Sequence, residues 1–430
     1  MKSKAGMSLR FINGRESIRN PIQPDTFSVI IAGDCCPWEN SIETIRDGKA
    51  AQIISSVKPF IDSADLKIIQ FESPLTNNDT PIDKSGPNLK CPPECIDLVR
   101  AGGFDVALLS NNHIGDHGSA VVMETIGHFK DAGIKTVGAG KDLATARIPL
   151  KVECKTIQIS ILNFAENEFG IAGKDNAGCA PLNPIENIQA IKRAAQSADL
   201  VFVVVHGGHE RNPVPSPRMV SAYRAFAEAG ASIVMNIHPH CPEGIELWNG
   251  VPIVYSPGNL FFPWSDLSSD HLNAMWWIGY LPKFYCDRKG VYAIEIMPYR
   301  FDNERMHSLP LEDTEKFFNY MSALCNLISD PETIQSYFDA WCAHEGSKYL
   351  SWIRDRLAKW PIELNSREAV RELLPVRNMF TCEAHNNMIT TYLRLVEEGR
   401  VPQALEGWPK IEMLQSPAWA QKHWEELQNH

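Results

Sequence analysis

No stretch of the 430-residue chain runs to about 18 consecutive apolar residues, so no membrane-crossing helix is expected. The eleven cysteines include no CxxC pair, which leaves a zinc ribbon unsupported. They are odd in number and scattered, so they read as reduced thiols and not as a disulfide framework. Positive charge is in deficit: 41 Lys and Arg against 52 Asp and Glu give a net charge of −11. Binding along a phosphate backbone relies on a basic surface, so no nucleic-acid partner is expected. Residues 1–23 are polar, with Lys2, Lys4, Arg10, Arg15 and Arg19 and no apolar centre, unlike a secretory signal. Together with the reduced thiols this leads to the expectation of a cytoplasmic protein. The chain also lacks a fixed-period repeat, a low-complexity stretch and a P-loop. Gly138-Ala139-Gly140-Lys141 comes nearest to a P-loop, but without the GxxxxGK[ST] spacing.

What is present is a long alternation. Short apolar runs rich in β-branched residues fall at 27–32, 66–71, 106–109, 157–163, 200–205, 232–237 and 252–255. Between them lie helical stretches at 39–61, 93–101, 120–132, 185–198 and 217–229. This rhythm predicts a layered α/β domain. After residue 299 the texture turns helical, with helices expected at 311–329, 332–344, 348–359, 366–374 and 387–398. Prolines at 310, 331, 361, 375 and 402 are read as the breaks between them. The expected organisation is a tail over 1–26, a main domain over 27–300 and a helical extension over 301–430.

The polar residues fall where the apolar runs stop. The first ends in Gly33-Asp34, the second in Glu72-Ser73-Pro74 and the third in Ser110-Asn111-Asn112-His113. The run at 200–205 ends in His206-Gly207-Gly208-His209-Glu210, and the next in His238-Pro239-His240. Ligand crevices of open α/β sheets lie at the carboxyl ends of the strands, so the five clusters can converge there. Carboxylate, amide oxygen and imidazole suit Mn, Fe or Zn without a thiolate set. A carboxylate can bridge two cations, the arrangement used to attack phosphorus in line. Pro239 argues against a continuing strand, so His238 and His240 are expected in a turn.

In order and type these motifs resemble the CapA family, capsule and poly-γ-glutamate synthesis proteins built on a calcineurin-like metallophosphoesterase core. The matching segments are Gly33-Asp34, Phe71-Glu72-Ser73-Pro74-Leu75, Asn111-Asn112-His113 with Asp116-His117-Gly118, His206 to Glu210, His238-Pro239-His240, and Tyr255-Ser256-Pro257-Gly258-Asn259-Leu260-Phe261-Phe262. The resemblance implies an α/β/β/α sandwich with the helical extension appended, and two divalent cations. Asp34 and His240 would hold one cation, Asn112, His206 and His238 the other, and Glu72 would bridge them. His113 would act as the catalytic proton donor. Glu210, Asn259 and Asp116 would orient ligands or touch substrate. Three departures stand out. Cys36 occupies a position where calcineurin-type enzymes have His, the bridging residue is Glu and not Asp, and Gly207 replaces the family's usual Trp. The N-terminal membrane anchor of many members is not found either.

Plainer readings compete for several residues. Asp34 could cap a helix, Asn111-Asn112 could be an ordinary turn, and single histidines often satisfy core carbonyls. The array as a whole favours ligation. His117 and His209 are expected at surface or supporting positions, and Cys35 and Cys36 as small buried hydrophobes. The Trp-rich run 273–280 and the Cys382-to-Asn386 segment are read as packing. The leading function is a metal-dependent hydrolase of capsule or poly-γ-glutamate biosynthesis acting on a polymer or phosphoester. The alternatives are a non-catalytic assembly subunit partnering a polymer synthase, and a general phosphodiesterase or nucleotidase.

Overall fold

Apolar side chains in the central strands sort by parity, as a period-two chain requires. In Leu200–His206, residues Val201, Val203 and Val205 pack with Ile191, Met219, Tyr223 and Phe226 of the helices outside the sheet. Leu200, Phe202 and Val204 face the other way and meet Val29, Ile31, Ile68 and Val106 of a second sheet. In Thr26–Cys35 the alternate residues Ile30 and Ala32 pack on Ile45, Ile53, Val57 and Val99 of another helical layer. Two sheets therefore share one core, and helices cover both outer faces. This is the expected α/β/β/α sandwich, with a helical extension at its C-terminal side. The computed structural model describes residues 7–428 apart from 12, 23, 265–272 and 360–365. Residues 1–6 of the expected tail, and Pro361 among the expected helix breaks, lie outside the described residues.

One sheet runs Met306–Ser308, Gly290–Phe301, Ile278–Asp287, Thr26–Cys35, Leu66–Phe71, Val106–Leu108 and Lys135–Val137. Its last four strands are parallel. The other runs Met7–Ser8, Ile245–Trp248, Val251–Val254, Ile233–Ile237, Leu200–His206, Ile157–Ala165 and Leu150–Cys154. Arg15–Ser17 adds to the first sheet beside Gly290–Phe301.

The seven expected strands are present, but Lys135–Val137, Leu150–Cys154, Ile245–Trp248, Ile278–Asp287, Gly290–Phe301 and Met306–Ser308 go beyond the sequence reading, and several helices differ from it. The expected helix over 39–61 is three short ones, Asn40–Arg46, Ala50–Ile53 and Lys58–Asp62. Gly48 breaks the first at φ +73°, a left-handed conformation that glycine adopts without penalty. The helices expected at 332–344 and 348–359 are one, Pro331–Ala358, passing through Gly346 without interruption. Pro375 does not end a helix but lies inside Arg367–Thr381. Val401–Leu405, Trp408–Gln415 and Ala418–Gln428 are further helices that the sequence reading did not place. The last returns to the sandwich, where Trp424 stacks on Trp277 and Trp419 packs edge-on against Phe317 and Tyr320.

Candidate metal centre

Asp34 reaches the site through an irregularity in its strand. The register to Leu66–Phe71 shifts between Ala32 and Asp34. A Cβ at Gly33 would lie 1.9 Å from the Gly258 carbonyl oxygen, so only glycine permits the approach. That approach lets Asn259–Phe261 pair beside Asp34. Glu72 follows Leu66–Phe71 directly, and Asn112 and His113 lie in the turn after Val106–Leu108. His206 ends its strand, and His238 and His240 sit in the turn after Ile233–Ile237. Both of these turn histidines have positive φ, 119° and 56°, a costly conformation for a side chain with a Cβ. The chain does turn at Pro239.

Six groups converge and all are buried. Potential ligand atoms of Asp34, Glu72 and His206 lie within 4.8 Å of one another, and so do those of Glu72, His238 and His240. Glu72 belongs to both sets. His206 Nε2 is 3.0 Å from Asn112 Oδ1 and 3.3 Å from Glu72 Oε1. His206 Nε2 also lies 3.0 Å from His238 Nδ1, and Asp34 is 3.5 Å from both His206 and His240, so the two sets interlock and distance does not split the histidines between them. Asp34 Oδ2 accepts the backbone N–H of His238 at 3.1 Å, which ties two strand ends together.

The donor set fits cations. Both carboxylate oxygens of Glu72, Asp34 Oδ1 and His206 Nδ1 are buried without a hydrogen-bond partner. Leaving such groups unpaired is expensive, and a cation pair would satisfy all of them at once. Burial pushes Asp34 up to about 7 against the opposing pull of His238. Burial and then the charge on Asp34 drive Glu72 well above the carboxylate range. Burial lowers His206 and takes His240 down to about 4, so the imidazoles are neutral and their lone pairs can ligate. Asn259 Oδ1 lies 2.7 Å from His240 Nδ1, and its amide nitrogen donates to the Trp276 carbonyl. This holds the ring with Nε2 toward Glu72, the usual way a ligand histidine is oriented.

His113 stands beside the cluster. Its Nδ1 is 2.7 Å from Asp116 Oδ2, and Lys84 Nζ donates to Asp116 Oδ1 at 2.6 Å. Since a carboxylate only accepts, Nδ1 carries the proton and Nε2 is left for a reactant. The Lys84 side chain is 3% exposed and comes from a segment without regular structure, so nothing in the sequence marks it. Glu210 is exposed on the wall of the adjoining cavity. His209 instead faces the extension, with Nε2 2.9 Å from the Ala384 carbonyl oxygen. His117 is buried with neither ring nitrogen hydrogen-bonded. Cys36 is buried with its sulfur 4.0 Å from that of Cys91, and neither set of close ligand atoms includes it.

The Trp-rich run does two things. Trp277 is core, as expected, but Trp276 lies 4.6 Å from the His240 ring and lines the cavity. The Cys382-to-Asn386 segment packs on the sandwich. Glu166 Oε2 accepts from the Ala384 backbone N–H at 2.9 Å and Glu383 accepts from the Asn167 backbone. Glu166 also pairs with Arg218. A Cβ at Gly207 would meet Glu166 Cγ at 2.6 Å. Glycine at 207 therefore makes room for the carboxylate that docks the extension.

The layered sandwich with two overlapping ligand sets at its strand ends defines an α/β/β/α protein with a candidate di-metal centre. Residues 28–263, over half of the chain, match the family described as bacterial capsule synthesis protein PGA_cap, and the chain belongs to that family. It is 32% identical to the PGA biosynthesis protein CapA of Bacillus subtilis over 244 residues, 55% of this chain and 64% of that one. It is 28% identical to the capsule biosynthesis protein CapA of Bacillus anthracis over 247 residues, 55% of this chain and 60% of that one. The matches thus span less than two thirds of these relatives' own length. A phosphatase structure from Mycoplasma pneumoniae aligns with a TM-score of 0.41 at 15% identity, covering 69% of this chain and 99% of that one. Among the described residues no helix is long and apolar enough to cross a membrane.

Proposed function

We propose that the centre binds two divalent cations (Mn, Fe or Zn) and hydrolyses a phosphoester in capsule or poly-γ-glutamate biosynthesis. The observation that carries this reading is Glu72, a buried carboxylate in both ligand sets with neither oxygen hydrogen-bonded. Glu72 would be shared, and Asp34, Asn112, His206, His238 and His240 would divide between the two cations, which would supply Lewis acidity and a fixed positive charge for an incoming phosphoryl group. The chain's own part is proton handling and exclusion of water. His113, held by Asp116 and Lys84, exchanges a proton through Nε2 with the leaving or non-bridging oxygen. Trp276 and Phe262 pack against His240 and shield that side from solvent. In this reading residues 27–300 form a calcineurin-like phosphoesterase domain and 301–430 an extension. The eleven cysteines form no disulfide, which supports a reducing, cytoplasmic setting.

Metal content by mass spectrometry tests the centre. Wild type purified with Mn²⁺ and Zn²⁺ should carry near-stoichiometric metal, and Glu72→Ala should lose it. Turnover of bis(p-nitrophenyl) phosphate with Mn²⁺ then tests the chemistry. His113→Ala should keep the metal and lose on the order of 10²–10⁴ in rate. Metal that survives Glu72→Ala would sink the shared site. Full metal without turnover would leave the chain a non-catalytic assembly subunit of a polymer synthase.

A further inference from the structure

The cavity over the ligand cluster has a second wall that the family match does not reach. The match ends at residue 263, whereas the cavity is also lined by Trp341, Glu345 and Tyr349 of Pro331–Ala358, Met379 of Arg367–Thr381, and His385 and Met388 of Glu383–Glu397. Facing them on the sandwich side are Phe262, Trp264 and Trp276. These rings are braced. Trp38 stacks on Trp264 at 6.0 Å and 8°, and Trp264 meets Trp276 edge-on at 6.5 Å. Tyr349 in turn rests near the His385 ring at 5.9 Å. The floor is Asn112, His113, His238 and His240.

Size and charge both limit what enters. The cavity holds about 340 Å³. That is the small end of the roughly 300–1,000 Å³ typical of small-molecule sites. Away from the ligand cluster its wall presents three carboxylates, Glu168, Glu210 and Glu345, against two cationic side chains, Lys84 and Arg211, of which Lys84 is paired with Asp116. The carboxylates accept hydrogen bonds from hydroxyl or amine groups and repel further negative charge. A polyanionic chain threaded through would place extra charges against them. The aromatic and thioether lining suits the face of a single ring.

We propose that the C-terminal helices convert the metal site into a ring-selective chamber. It accepts a phosphoester of one small ring bearing hydrogen-bond donors, free or at a chain end, and excludes the interior of a polyanionic polymer. The phosphoryl group faces the His113 floor, and the ring lies between Trp276 on the sandwich and Tyr349 on the extension. This rests on the two-cation reading for the phosphoryl end, while the ring selectivity comes from the extension alone.

The test compares two non-hydrolysable probes of equal charge, phenylphosphonate and methylphosphonate, binding to the Mn²⁺-loaded full chain in a calorimeter. The phenyl compound should bind about tenfold tighter, a gain of the size expected from ring packing. Tyr349→Ala should erase the preference with metal content unchanged, and Tyr349→Phe should retain it. Tyr349 is half-buried and packs on the edge of the extension's core, so Tyr349→Phe, which keeps that packing, is the control for Tyr349→Ala. Equal affinity for the two probes, a preference that survives Tyr349→Ala, or no binding of either to metal-loaded protein would overturn the proposal. A ring preference without turnover of phenyl phosphate would sink the hydrolytic reading and leave the chamber standing.

Discussion

At the scale of single residues the site turns on who holds whom. Asp116 is buried, and burial alone would raise its carboxyl. His113 and then Lys84 outweigh it and hold Asp116 below the usual range. It therefore stays ionised and fixes the His113 tautomer. Asp116→Asn keeps the shape but can present an amide N–H to Nδ1, which would favour the other tautomer. The expected outcome is a fall of about a hundredfold or more in turnover with metal content intact, read by parallel kinetics and mass spectrometry. The candidate ligands were legible because carboxylate, amide and imidazole recurred at the ends of five apolar runs. Lys84 was not, since it comes from an irregular segment that only folding brings to Asp116. Trp276 was read as packing together with Trp277, and no sequence pattern separates two adjacent indoles, one in the core and one at the cavity.

Among elements, the extension is attached by contacts that strand patterning does not announce. Glu166, at the end of Ile157–Ala165, pairs with Arg218 and accepts the Ala384 backbone N–H. Gly207→Trp, which restores the family's usual residue, should displace Glu166 and loosen the extension. Limited proteolysis is expected to cut near residues 382–386 faster in that variant, and unchanged cleavage would refute the docking role. The long helix Pro331–Ala358 poses a sharper test at Gly346. Glycine inside a helix costs about 1 kcal/mol relative to alanine. Yet a Cβ there would lie 2.3 Å from Tyr392 Cγ and 2.5 Å from Tyr392 Cβ, atoms that cannot swing away. Overpacking of this kind costs about 1–3 kcal/mol, so Gly346→Ala should destabilise in spite of the better helix former. Thermal melting decides the sign. The same contact explains why one helix spans what sequence patterning splits in two, because Gly346 is there for Glu383–Glu397 to approach.

Over the whole molecule, the N-terminal segment is sewn to the first sheet. Arg19 reaches Asp287 through two hydrogen bonds of 2.6 Å, and the backbone N–H groups of Ile22 and Lys289 donate to the same carboxylate at 2.8 Å. Burial works against Asp287, but these partners win and hold it down at about 2. A depressed carboxyl contributes stability that is complete above its unfolded value near 4 and is lost as pH falls through about 2. Hydrogen exchange at residues 15–22 should be faster in Asp287→Asn than in wild type at neutral pH. The difference should close as the pH approaches 2, and a difference that persists there would contradict the attachment.

The sequence by itself determined seven of the strands, their alternation with helices and the residue types that gather at the strand ends. Alternating apolar residues must face opposite layers, and polar residues at strand ends have few places to go except the common crevice. It also showed that the second third of the chain continues the first and that the remainder is helical. Only the tertiary structure decided which ligand neighbours which, that Lys84 steadies Asp116, and that the extension roofs the site. Those relations join residues up to a few hundred positions apart, such as Asn167 and Glu383. Local propensity and period carry no information across such a span, and packing density and hydrogen-bond pairing settle it.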